Sequence, residues 1–379
     1  MKRRAVSCIC VVVFLLTGAY ANGEKISQAK KFISLFDGKT LNGWVTVGTP
    51  GSFEVRDGAI YTTGKKPFPS WLRTEKQYEN FILRFSYKTG GWYEGGVLIH
   101  APLYGPGSKI GFKLHLRHDH KPYGVRSPGA IYDVAAPLAF PGKGPKQWNQ
   151  CEILYDWPLL RIKMNGRLIH DIDMSKVPAF KHRLRRGYIG IQNICEGGAY
   201  FKDIEICPLP DSEEKWIDLF AEGSKALRFT GGAKWSVKDG TLVGKGRGGM
   251  AYTLQSFEAP YELDVWCKTI TDGNGGVMFN CGNQNVEVQC FNVPDTTNPT
   301  GSLYGISPAR RLVSRDNEWF LMQIFNEGKH AEVYVNGEKV SETNSLKPPF
   351  KGTIGFQQHT PNGLIFYRAK LKKLSKASK

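Results

Sequence analysis

Ala331-Glu332-Val333-Tyr334-Val335 sets Ala, Val and Val on one side of an extended chain and Glu and Tyr on the other, then runs into Asn336-Gly337. Alternation with a period of two marks a strand with one buried face. Asn-Gly is the dipeptide favoured by two-residue hairpin turns, where both residues need positive φ. Half a chain earlier, Arg161-Ile162-Lys163-Met164-Asn165-Gly166 has the same form. Phe81-Ile82-Leu83-Arg84-Phe85-Ser86-Tyr87 is a further short alternating run, and no long helical periodicity competes with these. The 43 Gly and 21 Pro among 379 residues, with many aromatics, suit short strands and tight turns. The expected class is all-β.

The two hairpins belong to a longer series. Leu35-Phe36 is echoed by Leu219-Phe220, and Phe53-Glu54-Val55-Arg56-Asp57-Gly58 by Trp235-Ser236-Val237-Lys238-Asp239-Gly240. Glu94-Gly95-Gly96-Val97-Leu98-Ile99 matches Asn274-Gly275-Gly276-Val277-Met278-Phe279. Gly129-Ala130-Ile131-Tyr132 pairs with Gly301-Ser302-Leu303-Tyr304, and Trp148 with Trp319. After the hairpins, Gly187-Tyr188-Ile189-Gly190-Ile191-Gln192 answers Gly352-Thr353-Ile354-Gly355-Phe356-Gln357. Seven matches in one order describe a duplicated globular domain; a solenoid would need more and shorter repeats. The Pro- and charge-rich run Cys207-Pro208-Leu209-Pro210-Asp211-Ser212-Glu213-Glu214 is the join. The expected division is residues 1–21, a first copy over 32–207, a linker over 208–215 and a second copy over 216–375.

Residues 1–21 read as a secretory signal. Lys2, Arg3 and Arg4 precede an apolar run from Ala5 to Leu16, and Ala19-Tyr20-Ala21 supplies small residues ahead of a cleavage point. That run is too short to span a bilayer, and no later segment is long and apolar enough. Cys8 and Cys10 lie inside the run, so no lipid anchor is expected. A secreted or periplasmic chain starting at Asn22 follows. It would keep six cysteines, three per copy: Cys151, Cys195 and Cys207, then Cys267, Cys281 and Cys290. An odd number per copy leaves a thiol free or bridging in each, and none sits at matching repeat positions.

Leu35-Phe36-Asp37-Gly38-Lys39-Thr40-Leu41-Asn42-Gly43-Trp44 resembles the opening of the 3-keto-disaccharide hydrolase domain family. So do Phe53 to Gly58, Trp71-Leu72-Arg73-Thr74-Glu75-Lys76-Gln77-Tyr78, Trp148-Asn149, the Asn-Gly hairpins and the closing Ile-Gly-x-Gln motif. The resemblance covers nearly all of the expected mature chain, once per copy. It implies two tandem concanavalin A-like jelly-roll β-sandwiches, with sugar bound on the concave sheet. It also implies a 3-keto sugar substrate, whose ketone acidifies the C2 hydrogen. Cleavage then runs through proton abstraction, loss of the glycosidic oxygen and addition of water.

The copies depart from the family pattern differently. The family's Asn-Ser-Gly turn is Glu94-Gly95-Gly96 in one and Asn274-Gly275-Gly276 in the other, and its strand-end Arg becomes His100 and Asn280. The family's aromatic-Glu-Val-Gln is kept as Val286-Glu287-Val288-Gln289 but replaced by Phe112-Lys113-Leu114-His115. Its Gln-x-His is kept as Gln357-Gln358-His359 and replaced by Gln192-Asn193-Ile194. Alternation sends Glu287 and Gln289 to the outer, concave face and Val286, Val288 and Cys290 to the core. It sends Lys113, His115 and Arg117 outward, and Phe112, Leu114 and Leu116 inward.

Proton abstraction needs a base, a donor for the ketone and an acid for the leaving group. The second copy offers Glu287 with His359, and Gln289, Gln357 and Tyr304 as polar neighbours. The first offers His115 and His118, with Glu94, His100, Arg117, Gln192 and Trp92. His115, His118, Asp119 and His120 carry metal-type donors, but their spacing matches no specific motif, so neither metal nor cofactor is expected. A paired-carboxylate glycosidase would need two acids across a cleft, and no strand carries a Glu-x-Asp-x-x-Glu pattern. The alternative is a non-catalytic sugar-binding protein using Trp71, Trp92, Tyr93, Tyr123 or Trp157 as stacking platforms. The net charge of +17, or 48 − 34 = +14 without Lys2, Arg3 and Arg4, allows an acidic polysaccharide as partner. The basic residues are scattered and form no nucleic-acid motif; the partner expected is carbohydrate, an oxidised disaccharide or polysaccharide, with the oligomeric state left open.

Overall fold

The computed structural model describes residues 31–375 except His120, Glu213, Pro294 and Asn362; the expected signal segment lies outside the described residues. The described chain is two antiparallel β-sandwiches in series. In the first, a large sheet runs Arg167–Asp173, Leu159–Met164, Asn149–Asp156, Phe81–Thr89, Ala199–Pro208, Ala59–Thr62, Phe53–Arg56, with Ile33–Ser34 added on Ala199–Pro208. It faces a five-stranded sheet in the order Trp44–Val47, Ser70–Tyr78, Gly187–Asn193, Glu94–Ala101, Phe112–Arg117. The second sandwich repeats both orders, its small sheet being Leu227–Gly231, Gly249–Glu258, Lys351–Gln358, Asn274–Cys281, Val286–Phe291. The expected all-β class and the duplication both hold.

Each core lies between its two sheets. Leu83 and Phe85 of the first large sheet meet Val97, Ile99, Leu114, Ile189 and Ile191 of the small one, all buried. Leu263, Val265, Val277, Val288, Ile354 and Phe356 do the same in the second copy. Each such side chain contributes about 1.5–3 kcal/mol by leaving water, which is why register follows the apolar positions. Asn165 and Gly166 have φ of 50° and 78°, Asn336 and Gly337 of 52° and 75°, the hairpin geometry that Asn-Gly favours.

The copies differ at one connection that matters. Between Glu94–Ala101 and Phe112–Arg117 the first copy has residues 102–111, including the short helix Gly107–Ile110. The second copy crosses the same gap with residues 282–285. The longer loop docks the copies: the Tyr104 ring stacks on Trp319 at 5.5 Å and meets Trp266 edge-on at 5.7 Å. Nearby, Lys109 pairs with Glu338, Lys181 reaches Glu332 at 2.6 Å and Glu327 at 2.8 Å, and His182 stacks on Tyr334 at 4.6 Å.

Candidate functional site

The outer face of each small sheet has the same grid. In the second copy the N–H of Gly301 donates to the Gln289 carbonyl, and that of Tyr304 to the Glu287 carbonyl. In the first, Gly129 donates to His115 and Tyr132 to Lys113. Gln289 therefore corresponds to His115, and Glu287 to Lys113. One row reads Met250, Gln357, Gly276, Gln289; its counterpart reads Trp71, Gln192, Gly96, His115. The glycine is required in both. A Cβ at Gly96 would lie 2.2 Å from the Leu114 carbonyl oxygen, and one at Gly276 2.6 Å from that of Val288 and 2.8 Å from Glu287 Oε1. Side-chain-free floor thus lies beside Glu287.

Alternation places Glu287 and Gln289 outward, with Val286, Val288 and Cys290 buried in the core. Gln289 Nε2 donates to Asn274 Oδ1 at 2.7 Å, and Gln357 lies on the same row across Gly276. Glu287 is half-buried, and among the described residues no cation pairs with it. Burial alone raises its carboxyl above the usual carboxylate range. Tyr304 is largely exposed beside it. His359 shares the face but not the neighbourhood. Its N–H donates to the Asn274 carbonyl at 2.9 Å, which puts it two rows and two strands from Glu287, roughly 16 Å between Cα atoms by sheet spacing.

In the first copy Lys113, His115 and Arg117 do point outward, but Lys113 is 3% and His115 0% exposed. Residues 123–135 fold back along the strand and lay Tyr132 over them: the ring is 3.9 Å from Lys113 Nζ and 4.9 Å from the His115 ring. Neither His115 nitrogen has a hydrogen-bond partner, and Nε2 stands 3.5 Å from Glu94 Oε1. Burial, with the charges of Lys113 and Arg117, pulls its pKa down to about 3. Burial also draws the Lys113 amine down to about 8. Glu94 is held by Arg117 at 3.1 Å, and Arg117 in turn by Asp119 at 2.9 Å. Gln192 joins the His115 row with its Oε1 unpartnered. His118 turns aside, its Nδ1 at 2.9 Å from the Tyr93 carbonyl and its ring 6.0 Å from exposed Trp92.

His100 is a correction. Straight alternation carries Glu94, Gly96 and Leu98 outward and would carry His100 with them. A register shift between Tyr188 and Gly190, and φ of 51° at His100, turn the ring into the core. There it packs edge-on against Phe81, Phe112 and Tyr155, with Nε2 at 2.8 Å from the Glu79 carbonyl and Nδ1 at 3.0 Å from that of Leu184. Tyr93, expected as a platform, is also buried core, and Trp71 is covered by Leu98, Ala101 and Tyr188. Trp92 and Tyr123 are the exposed rings of that set, while Trp157 lies under Arg185.

Among the described residues His115, His118 and Asp119 form no cluster of three metal-type ligands, and His120 lies outside the described residues. Among the described residues, His330, Glu332 and Glu342 do bring ligand atoms within 4.8 Å of one another, but Lys181 and Lys339 already neutralise them. All six cysteines expected in the mature chain are free and buried. Lys113 and Tyr132 were absent from the expected site; the shared Gly-x-x-Tyr motif after the strand was the available signal.

A family model for the 3-keto-alpha-glucoside-1,2-lyase-like domain matches residues 31–207 and 215–370. Among solved structures, a "putative glycosyl hydrolase" from Parabacteroides distasonis is 22% identical, covering 47% of this chain and 94% of that one, with a TM-score of 0.41. A carbohydrate binding module from Bacillus subtilis is 14% identical over 44% of this chain and 95% of its own, with a TM-score of 0.32. No curated protein matches the chain in sequence.

Proposed function

The chain belongs to the 3-keto-alpha-glucoside-1,2-lyase-like domain family, and from that premise we propose that it cleaves 3-keto-glycosides on the outer face of its second small sheet. The observation that carries this reading is Glu287: a half-buried carboxyl, unpaired among the described residues, beside a glycine floor, with Gln289 and Gln357 on the next row of the sheet. A raised pKa makes a carboxylate a better base, because its proton affinity approaches that of the working solution. Glu287 takes the C2 proton, and the electron pair moves toward the C3 ketone. In this reading Gln289, Gln357 and the Tyr304 hydroxyl donate to that oxygen. The C1–O bond then breaks, and the departing oxygen takes its proton from the Glu287 carboxylic acid. Water added at C1 completes a net hydrolysis. His359 is not needed for the first step.

The first copy supports binding rather than cleavage. Its Glu94 is engaged by Arg117, and a His115 held neutral at pKa about 3 is a feeble base. The same reading includes export, with Asn22 as the mature N-terminus, and a carbohydrate partner.

The test is to incubate the protein with a 3-keto-disaccharide and its unoxidised parent, following monosaccharide release. Release from the oxidised sugar alone, lost 10²–10⁴-fold in Glu287→Gln, is expected. Undiminished release by that variant would remove Glu287 from the mechanism.

A further inference from the structure

The second small sheet lays Glu287 across a glycine floor, and the first lays Lys113 across the equivalent floor. A Cβ at Gly96 would lie 2.9 Å from Lys113 Cγ and 3.1 Å from its Cδ. One at Gly276 would lie 2.9 Å from Glu287 Cγ and 2.8 Å from its Oε1. The lysine stem therefore crosses its glycine as the glutamate crosses the other, and its amine ends 3.9 Å from the Tyr132 ring centre.

Lysine is almost never fully buried unless paired, yet Lys113 is 3% exposed. The acids around it are already engaged: Glu94 by Arg117 at 3.1 Å, Asp119 by Arg117 at 2.9 Å and Asp133 by Arg126 at 2.7 Å. Among the described residues no ion pair reaches the Lys113 amine; its partner is the Tyr132 ring. On the next row, both His115 nitrogens and Gln192 Oε1 are buried without partners. Burial draws the amine down to about 8, so part of it is free base at neutral pH.

The cover is a side chain that can turn. Among the described residues the Tyr132 hydroxyl makes no hydrogen bond, and the half-buried ring rests on Lys113, His115 and, at 5.5 Å, Arg126. The equivalent Tyr304 is 56% exposed, so the shared scaffold accommodates this ring turned out to solvent.

A desolvated amine without a counter-ion is the setting in which lysine attacks a carbonyl. An ordinary sugar ring has no carbonyl, whereas a 3-keto sugar has one at C3. We propose that Lys113 captures keto sugars in the first copy as a reversible Schiff base, with His115 and Gln192 hydrogen-bonding the hydroxyls that flank C3. The ligand class rests on the keto-sugar reading of the second copy; the capture itself does not use Glu287. The free amine adds its lone pair to C3, and one of its protons passes to the ketone oxygen. With a second proton from solvent that oxygen leaves as water, forming the C3=N iminium. Water added back at C3 reverses each step, so no oxidant or reductant is consumed.

The experiment incubates the full chain carrying Glu287→Gln, which keeps the sugar whole, with 3-keto-trehalose and sodium cyanoborohydride. The ketone is the only carbonyl of that sugar, and adducts are mapped by mass spectrometry. One adduct per chain is expected on Lys113, heavier by the sugar less one oxygen, and none with unoxidised trehalose. Trapping should be lost in Lys113→Arg, which keeps a cation beneath Tyr132, and in Lys113→Met, and should quicken in Tyr132→Ala. Absence of an adduct overturns the proposal, as does labelling spread evenly over other lysines or undiminished in both Lys113 variants. Monosaccharide release by the parent chain is scored separately. Release without a Lys113 adduct overturns the capture alone, and an adduct without release overturns the catalytic reading alone.

Discussion

Lys113 and Glu287 occupy one and the same place in the two copies, each with its carbonyl accepting from the N–H of an equivalent tyrosine, Tyr132 or Tyr304. Their charges are opposite, and burial displaces each toward neutrality: the amine falls to about 8 and the carboxyl rises. Duplication has preserved a scaffold while the chemistry on its outer face inverted. One copy presents a half-buried carboxyl beside an open floor; the other presents an amine covered by a tyrosine ring.

A carboxyl whose folded pKa lies above its unfolded value favours the folded state most when protonated. Its contribution is therefore full below the unfolded value of about 4.3 and is lost as pH rises toward the folded pKa. Glu287→Gln should raise the melting temperature at pH 7 and leave it unchanged near pH 4, while abolishing cleavage. Melting curves of both proteins at the two pH values check this. A variant less stable at pH 7 would mean that the carboxylate is held by a favourable partner.

His100 tests the opposite sign. Burial lowers it to about 4, and His115 and His182 are likewise lowered, to about 3 and about 4. Each is neutral in the fold and protonates more readily when unfolded. Stability from each is present above pH 6.5 and falls, by about 1.4 kcal/mol per pH unit, until the folded pKa is passed. The second copy carries Asn280 at the equivalent site, with φ of 52° and an amide contact from Asn326 at 3.2 Å. His100→Asn should therefore flatten the acid side of the stability curve between pH 6.5 and 4, measured by thermal unfolding.

How far the sequence reaches is clear from these residues. Period-two alternation and the Asn-Gly turns contain the strands, the hairpins and the duplication, because apolar burial fixes register locally. The outward direction of Glu287, Gln289, Lys113 and His115 follows from the same rule. His100 escaped it because a register shift is a backbone irregularity that no side-chain pattern announces. The burial of Lys113 escaped it because Tyr132 is brought over the strand by a loop. The burial of Asp264 was illegible for a third reason: the strands that bury it, bringing Gln323 and Lys372 beside it, lie far along the chain.

The thiols give a direct count. Cys151, Cys195, Cys207, Cys267, Cys281 and Cys290 are all buried and unbridged. In a chain starting at Asn22, thiol reagent should therefore modify none in the native protein and six after unfolding, with no effect of prior reduction on the melting temperature. Cys267 and Cys290 come from opposite sheets of the second sandwich and are in thiol–thiol contact. A count of four would assign an oxidised bridge to that pair, and reduction would then lower the melting temperature.

Gly337 ties the copies together through the loop that distinguishes them. Its φ is 75°, and a Cβ there would lie 2.4 Å from the Lys109 carbonyl oxygen of the other copy. Gly337→Ala thus opposes both the hairpin turn and the docking of residues 102–111. The equivalent Gly166 has φ of 78° and nothing within 4 Å of such a Cβ, so Gly166→Ala carries the turn penalty alone. That penalty is about 1 kcal/mol for an L-residue in the left-handed region. Comparing the two variants isolates the docking term. Gly337→Ala should speed proteolysis in the 208–215 segment and increase the radius measured by small-angle scattering, and Gly166→Ala should do neither. Equal behaviour of the two variants would mean that the Tyr104 stack and the Lys181 ion pairs hold the copies without the hairpin.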